Sequence, residues 1–197
     1  MLSLHNIINS ISSYIFISLF VVGNMTEGRD KLEEILKSLS ITTTVFEHPE
    51  VFTVEAMMPH LQDCKGLIVK NLFLKGKKKK DLWLITVGHD KEINLAQLGK
   101  DLSVPGGFRF ADEAILEEKL GVKQGCVTPL ALMNDKNHDV KLVLDEDIQH
   151  LSEGELIYSH PIVNSATMGM SYPDFSKFLE HTGHKPNFIE LSKAGAK

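Results

Sequence analysis

The sequence predicts an α+β fold in which helices flank a central mixed, mostly antiparallel β-sheet. Segments rich in β-branched and apolar residues outnumber the segments with helical periodicity, and the two kinds do not alternate strictly. No repeat with a period of about 20–50 residues is visible. A glycine-rich nucleotide-binding fingerprint is also missing, because Gly106-Gly107 lacks the required spacing.

Composition indicates an ordinary globular protein of 197 residues, with 43% hydrophobic and 24% charged side chains. The formal net charge of −5 argues against bulk attraction to nucleic acid, and we expect no DNA partner. The two cysteines, Cys64 and Cys126, lie far apart and match no zinc-finger spacing. We therefore expect a reducing compartment and no structural metal.

Residues 1–24 differ from the rest of the chain. No charged side chain occurs from Ile7 to Val22, but the apolar stretch is short for a membrane span, which needs about 20 apolar residues. It could be the core of a signal peptide, although no basic residue precedes it, or a leader ahead of an internal start at Met25. We place residues 1–24 outside the fold, expect one domain over residues 25–197, and expect no membrane association.

The first helix is predicted to run from Thr26 or Asp30 to Ser38. Its apolar side chains recur at helical spacing: Leu32, Ile35, Leu36 and Leu39. The β-branched run 41–46 predicts the first strand. Thr53 then caps a short helix whose course is limited by Pro59.

Two apolar runs, 67–74 and 82–87, flank a lysine-rich turn and predict a hairpin of central strands. Asn94 caps a helix that continues through Leu102, and Pro105-Gly106-Gly107 forms a turn. Asp112 caps the next helix, which ends at Gly121.

Further strands are predicted at residues 127–133, 140–144 and 156–159. Ser171 caps a last helix that ends at Gly183. The inward side chains of this helix are Phe175, Phe178 and Leu179. Residues 188–191 return as a short strand.

Lys70 is the most informative residue because it interrupts an apolar strand. Strand alternation places it on the same face as Ile68, Leu72 and Leu74. Burying a lysine there is costly unless the ammonium group reaches a partner, a cavity or the strand rim. It is either an edge-strand lysine that reaches water or a charge that projects into a ligand pocket.

Two other segments could line such a pocket. Gly125 to Pro129 has a permissive backbone at one end and a fixed one at the other, so it could offer backbone groups to a ligand or simply form a strand-entry turn. His160-Pro161 is followed by Asn164-Ser165-Ala166-Thr167, small and polar residues that suit a tight pocket wall or a polar surface turn.

A basic run follows the first strand of the hairpin. Lys75 and Lys77 to Lys80 place five positive charges in six residues around Gly76. This run could bind phosphate groups or serve as a solvated turn that protects a strand edge from aggregation.

Other chemistries are less well supported. Cys126 with His160 and Asp112 could form a thiol triad, but no nucleophile signature surrounds the cysteine. His181 and His184, with His138-Asp139, could approach a metal ion, but no metal-binding frame is present and we predict no metal.

Taken together, these segments resemble the YbaK/ProX aminoacyl-tRNA deacylase family, and within it the free-standing prolyl-tRNA-synthetase-associated domain (PrdX) proteins of animals. The resemblance covers about residues 25–191 and includes, in order, HPEVFTVEAMMPHL, VKNLFLKGKKKKDLWLITV, INLAQLGKDL, RFADE, GVKQGCVTPLAL, HPIVNSATMG and DFSKFLEHTGHKP. The family lysine matches Lys70, and its GxxxP loop matches Gly125 and Pro129. Its HPxxN segment matches His160, Pro161 and Asn164.

The resemblance implies a pocket for the 3′-terminal aminoacyl-adenosine of tRNA and hydrolysis of the ester to a wrong amino acid. We expect Lys70 to be catalytic, by contacting the substrate carbonyl or a phosphate, and water to be the nucleophile, without metal or cofactor. The expected substrate-binding residues are Asn71, Gly125, Cys126, Val127, Thr128, Pro129, His160, Asn164 and Thr167. The expected contacts with tRNA phosphates are Lys77, Lys78, Lys79 and Lys80.

Alanine on proline-accepting tRNA is the substrate preference that related members suggest, and an aminoacyl-tRNA synthetase is a further expected partner. If translation starts at Met25, we expect the protein in the cytoplasm. The alternative function is a non-catalytic tRNA-binding or synthetase-associated module of the same fold.

Overall fold

The computed structural model describes residues 27–191, and the first helix, α1, covers residues 27–38 of that range. The other helices are α2 Val54–Met57, α3 Leu95–Asp101, α4 Glu113–Leu120 and α5 Tyr172–Thr182. Three 3₁₀ helices are Met58–His60, Pro129–Asn134 and Glu146–His150. The strands are β1 Thr43–Glu47, β2 Gly66–Gly76, β3 Leu82–Gly88, β4 Phe108–Phe110, β5 Val140–Asp145, β6 Leu156–Ser159, β7 Ala166–Met170 and β8 Asn187–Ile189.

The strands form one eight-stranded sheet in the order β1-β7-β6-β2-β3-β5-β8, with β4 paired to β2 beside that path. The pairs β1·β7, β6·β7, β2·β3 and β2·β4 are antiparallel. The pairs β2·β6, β3·β5 and β5·β8 are parallel. This mixed, mostly antiparallel sheet with flanking helices confirms the predicted fold class.

The predicted hairpin is the centre of the sheet. β2 and β3 pair antiparallel from Val69–Gly88 to Lys75–Leu82, and every residue of β3 is buried. Continuous apolar sequence is typical of strands that are covered on both faces, which explains why the hairpin lies in the middle.

Helix caps follow the sequence with one exception. The side chain of Asn94 accepts hydrogen bonds from the first turn of α3, and that of Ser171 accepts from Asp174 N in α5. Gly121 and Gly183 take left-handed conformations after α4 and α5. Asp112 occupies the cap position of α4 but makes no cap hydrogen bond, because its carboxylate is held by Arg109 at 3.2 Å.

The strand predicted at residues 127–133 is wrong. Thr128 Oγ1 accepts a hydrogen bond from Leu130 N, and Pro129 opens a 3₁₀ helix whose residues through Met133 are buried. Proline fixes φ and lacks the N–H that a strand ladder needs, so the cap and the proline outweigh the apolar run. Two strands, β4 and β7, were not predicted.

One large apolar core contains the inward face of α5 and one face of the central hairpin, including Phe73 and Leu84. The opposite face of the hairpin packs against α3 around Trp83 and Leu98. Among residues 27–191 no helix is long and apolar enough to cross a membrane. The predicted leader, residues 1–24, lies outside the described residues, so the domain boundary stays a prediction.

Candidate functional site

The sheet has an opening along one edge of β2. β6 pairs with β2 only at residues 66–68, and β4 pairs with it only at residues 74–76. Within the described chain no strand pairs with residues 69–73 on this side. β2 is therefore a central strand that is locally an edge, and its side chains and backbone groups border an open space there.

A cleft of about 420 Å³ occupies this opening. Its volume lies within the range of roughly 300–1,000 Å³ that is usual for small-molecule sites. The lining residues are Phe52, Thr53, Met57, Val69, Lys70, Asn71, Leu72, Phe73, Phe110, Ala111, Glu113, Leu116, Gln124, Gly125, Val127 and His160.

Lys70 lies within the free edge, residues 69–73, and lines the cleft. Its predicted face is confirmed, since Ile68, Leu72 and Leu74 pack in clusters separate from the one that contains Val69 and Phe73. The half-buried ammonium group donates a hydrogen bond to the backbone carbonyl of Lys91. This hydrogen bond orients the ammonium group and uses one of its three N–H donors.

Asn71 presents both its side chain and its backbone to this region. Its Oδ1 accepts a hydrogen bond from Thr86 Oγ1 at 2.8 Å, across the hairpin. On the other edge of β2, the carbonyl of Phe73 accepts a hydrogen bond from Ala111 N at 3.1 Å. Because strand backbone groups alternate between the two edges, the N–H and C=O of Asn71 point to the same side, into the opening.

The loop that begins at Gly125 forms the wall opposite β2. Gly125 has φ +89°, and a Cβ at this position would lie 3.0 Å from Cδ1 of Phe52, so conformation and space both favour glycine. Val127 also lines the cleft. Thr128 and Pro129 are buried and face the core instead, where Thr128 Oγ1 lies 3.4 Å from Ser159 Oγ.

His160 follows β6 and lines the cleft, as predicted. Its Nδ1 lies 3.0 Å from the carbonyl oxygen of Ala166, which can only accept, so Nδ1 carries the proton. Burial lowers the pKa of this imidazole, with a smaller opposing effect from the Ala166 hydrogen bond. The neutral ring therefore has Nε2 as its free acceptor.

The loop after His160 is held in a strained conformation. Ile162 has φ +71°, which is rare for a β-branched residue, and its side chain is buried against the core. Such strain persists only where the surrounding packing fixes it and is frequent at functional sites. The loop is also tied to the preceding segment, because the carbonyl of Asn164 accepts a hydrogen bond from Val51 N at 3.0 Å.

Asn164 and Thr167 do not line the cleft and lie in the layer of residues next to its lining. Both are buried. The hydroxyl of Thr167 lies 3.0 Å from His48 Nε2 and donates to the sulfur of Met57, a residue that does line the cleft.

The predicted basic turn lies at the far end of β2. Lys77, Lys78, Lys79 and Lys80 are all exposed in the β2–β3 turn. The turn is fixed to the Gly106-Gly107 turn, because Lys77 N donates to the carbonyl of Gly107 at 3.0 Å. β4 connects this turn to the cleft, since Phe108 pairs with Gly76 and Phe110 lines the cleft.

The structure does not assemble the thiol triad. Cys126 is 2% exposed, and burial raises the pKa of its thiol. His160 is bonded to Ala166, and Asp112 is paired with Arg109 on the surface. A raised pKa and burial both disfavour a reactive thiolate.

Two of the three histidines considered as metal ligands make hydrogen bonds within the protein, and the third, His181, is exposed. Buried His184 lies 3.1 Å from Asp135 Oδ2 through Nε2, and His138 lies 3.1 Å from the carbonyl oxygen of Thr182. In the part of the chain that the structure describes, no group of three or more His, Cys, Asp or Glu side chains could hold a metal ion.

The structure thus brings Lys70, Asn71, Gly125, Val127 and His160 together at one cleft. The remaining predicted substrate-binding residues lie behind it, buried: Cys126, Thr128, Pro129, Asn164 and Thr167. Sequence reasoning missed Phe52, Thr53, Phe110, Glu113 and Gln124, since nothing in their local pattern shows that β4 and the segment before α2 border β2.

Residues 48–178 match the family model of the aminoacyl-tRNA editing domain. Prolyl-tRNA synthetase associated domain-containing protein 1 of Bos taurus is 56% identical over 169 residues, which cover 85% of this chain and 97% of that protein. Prolyl-tRNA editing protein ProX of Acetoanaerobium sticklandii is 33% identical over 156 residues, which cover 79% and 93%. The fold is similar to a solved structure described as a candidate trans-editing enzyme for prolyl-tRNA synthetase, with a TM-score of 0.59, 19% identity and coverage of 85% and 98%.

Proposed function

This chain belongs to the aminoacyl-tRNA editing domain family, and on that basis we propose that it hydrolyses the ester bond of mischarged tRNA in trans. The observation that carries the proposal is the convergence of Lys70, Gly125 and His160, which are far apart in sequence, on one cleft at the free edge of β2. The names of the relatives refer to prolyl-tRNA and its synthetase, which favours a proline-accepting tRNA as the substrate. Alanine is the amino acid that the family resemblance suggests, and we propose it here as the group that is removed.

The proposed chemistry needs no strong nucleophile, because an aminoacyl ester is already labile. Water attacks the ester carbonyl, and the site positions this water and stabilises the developing oxyanion. The Lys70 ammonium group supplies positive charge at the cleft, and the N–H of Asn71 is a second donor directed into the opening. The free hydroxyl of the terminal ribose can assist in orienting the water.

His160 acts on this water in the proposed mechanism. Its Nδ1 proton is committed to Ala166, so Nε2 can accept a hydrogen bond from a water or a hydroxyl in the cleft. The backbone from Gly125 to Val127 forms the opposite wall and limits the size of the aminoacyl group. Size exclusion alone contributes only about 1–3 kcal/mol per methylene, so contacts with the tRNA are expected to add to selectivity.

The tRNA contacts are assigned to the exposed lysines of the β2–β3 turn, Lys77 to Lys80. These residues lie at the outer end of β4, whose inner end reaches the cleft. An acceptor stem held by this turn would direct its 3′ end along β4. An aminoacyl-tRNA synthetase is a further proposed partner, and the cytoplasm is the proposed place of action.

Release of free amino acid from purified aminoacyl-tRNA tests this proposal. Proline-accepting tRNA charged with alanine or with proline is incubated with the protein, and ester loss is compared with spontaneous hydrolysis in the same buffer. Faster loss of alanine than of proline is expected. Binding of both tRNAs without accelerated release would support the non-catalytic module and overturn the deacylase.

A further inference from the structure

Two phenylalanines are exposed, although large apolar side chains are usually buried. Phe52 is 71% exposed and Phe110 is 59% exposed, the highest values among the exposed large hydrophobic residues of the described chain. Keeping a large apolar side chain in water forfeits roughly 1.5–3 kcal/mol of burial free energy. Both rings line the cleft, so the unfavourable exposure is concentrated at one place.

The two rings lie toward opposite ends of the free edge of β2. Phe110 ends β4 and pairs with Leu74. Phe52 lies against Gly125, and its neighbour Val51 is bonded to the loop that follows β6. The free edge between β6 and β4 spans five residues, or about 13 Å from Cα to Cα.

Positive charge leads to the Phe110 end. Lys75 of β2 lies opposite Arg109 of β4, whose guanidinium group is paired with Asp112, and the four exposed lysines of the turn lie beyond. The positive charge near Phe110 therefore comes from the lysines. A ligand that matches this surface carries repeated negative charge and flat apolar faces. Single-stranded nucleic acid has both, since phosphates alternate with bases that stack on aromatic side chains.

We propose that Phe52 and Phe110 are stacking platforms for the unpaired bases at the 3′ end of the tRNA. Phe110, on the side of the lysine-rich β2–β3 turn, stacks on the penultimate base, and Phe52 stacks on the terminal adenine beside Gly125. This inference rests on the proposed function for the identity of the ligand. It adds recognition of the bases, whereas the lysines contact phosphates.

Base recognition can be measured without the ester. The probe is an uncharged RNA hairpin with the single-stranded 3′ end of proline tRNA, labelled at its loop for fluorescence anisotropy at one fixed salt concentration. Two matched hairpins carry an abasic nucleotide, one at the terminal and one at the penultimate position. The proteins are wild type, Phe52→Ala, Phe110→Ala, Phe52→Trp and Phe110→Trp, with Met58→Ala as a control for loss of an exposed apolar side chain outside the cleft.

Each alanine variant is expected to weaken binding of the intact hairpin about 5- to 150-fold, because stacking contributes about 1–3 kcal/mol per base. The tryptophan variants and Met58→Ala should bind as wild type does. Phe52→Ala should have no further effect on the hairpin that lacks the terminal base, and Phe110→Ala none on the hairpin that lacks the penultimate base. Both rings are exposed, so the variants are expected to fold, which thermal unfolding checks.

The outcomes separate the two proposals. Equal binding by the alanine variants and wild type, or equal losses on intact and abasic hairpins, would overturn the stacking platforms even if deacylation is observed. Base-dependent binding that requires the two rings would support them even if no ester is cleaved. Binding that is unaffected by either abasic site would show that the rings do not recognise these bases and would overturn the inference.

Discussion

His160 shows how one hydrogen bond can define the chemistry of a side chain. The Ala166 carbonyl fixes the tautomer, and burial lowers the pKa of the ring. The imidazole is therefore neutral near pH 7, with Nε2 as an acceptor at the cleft. A mechanism that uses this acceptor has to lose activity when the ring is protonated.

The pH profile of deacylation tests this role. The enzymatic rate, corrected for spontaneous hydrolysis, should fall with an acid limb below the ordinary histidine pKa of about 6.5. In His160→Gln the rate should be lower and this limb absent, whereas exposed His181→Gln should keep the wild-type profile. An unchanged acid limb in His160→Gln would assign the titration to another group.

The lowered pKa of His160 also predicts how the stability of the protein depends on pH. Because the pKa of His160 is lower in the folded state than in the unfolded state, its contribution to the free energy of unfolding is present above about pH 6.5 and is lost as the pH falls through the folded pKa. Urea unfolding between pH 7.5 and 5 should show a smaller decrease in His160→Gln than in wild type. Equal decreases would show that burial of this ring does not control the acid sensitivity.

The exposure of the two aromatic rings at the cleft could not be predicted from the sequence. Phe52 and Phe110 look like core residues in the sequence, and only the assembled sheet shows that they border an opening. Lys70 could be recognised from the sequence as unusual, because burying a charge within an apolar strand costs free energy wherever the strand lies in the sheet. Lys70 was predicted to be either an edge-strand lysine or a charge in a ligand pocket. Both apply, since β2 is locally an edge at this residue and Lys70 lines the cleft there.

Among the elements, strong local signals predicted structure and weak ones did not. The hairpin, α5 and its Ser171 cap follow the sequence closely. β7 was missed because Gly169 divides its short run, and this glycine is needed where the ring of Tyr158 would meet a Cβ at 2.3 Å. The three-residue β4 exists only because β2 offers it a partner.

The β2–β3 turn carries a prediction of its own. Replacing Lys77 to Lys80 with alanine should weaken tRNA binding and reduce the slope of log K against log salt by up to roughly 3–4, since each phosphate contact contributes about 0.9 on duplex RNA if it behaves as DNA does. A control that replaces the exposed lysines Lys37 and Lys136 should leave the slope unchanged. An unchanged slope in the four-alanine variant would leave the turn with a solvated, edge-protecting role.

For the whole molecule, buried Lys91 joins the ends of several elements. Its Nζ lies 2.7 Å from Asp147 Oδ2, 3.6 Å from Asp145 Oδ1 and 2.7 Å from the carbonyl of Leu191. The backbone carbonyl of the same residue accepts the hydrogen bond from Lys70. The ion pairs beyond β3 and β5 therefore hold the acceptor that orients the proposed catalytic ammonium group.

Lys91→Met should lower the free energy of unfolding by about 3–5 kcal/mol, because Asp145 is fully buried and would lose its cation. Urea unfolding measures this change. Asp147→Asn is the matched control: it removes a half-exposed partner, so the loss should be only about 0–1 kcal/mol. Equal losses in the two variants would show that burial of the Asp145 charge is not the cause.

The architecture places the proposed chemistry at residues 69–73 of β2, which in the described chain pair with β3 on one side and with no strand on the other. The sequence could indicate which segments contribute, because each carries its own motif. It could not show that Asn164 and Thr167 stand behind the cleft, since their distance from β2 depends on the antiparallel return of β7 on β6. Long-range pairing of this kind is not encoded in a local pattern.

The central claim is that the cleft beside Lys70 cleaves aminoacyl esters, and single-turnover deacylation of alanyl-tRNA by wild type and Lys70→Ala tests it most directly. Removing the charge should slow the reaction about 10²- to 10³-fold, as loss of one oxyanion-stabilising group does. Exposed Lys136→Ala should match wild type, and urea unfolding should show that Lys70→Ala stays folded. A folded Lys70→Ala variant that cleaves the ester as fast as wild type would contradict the account.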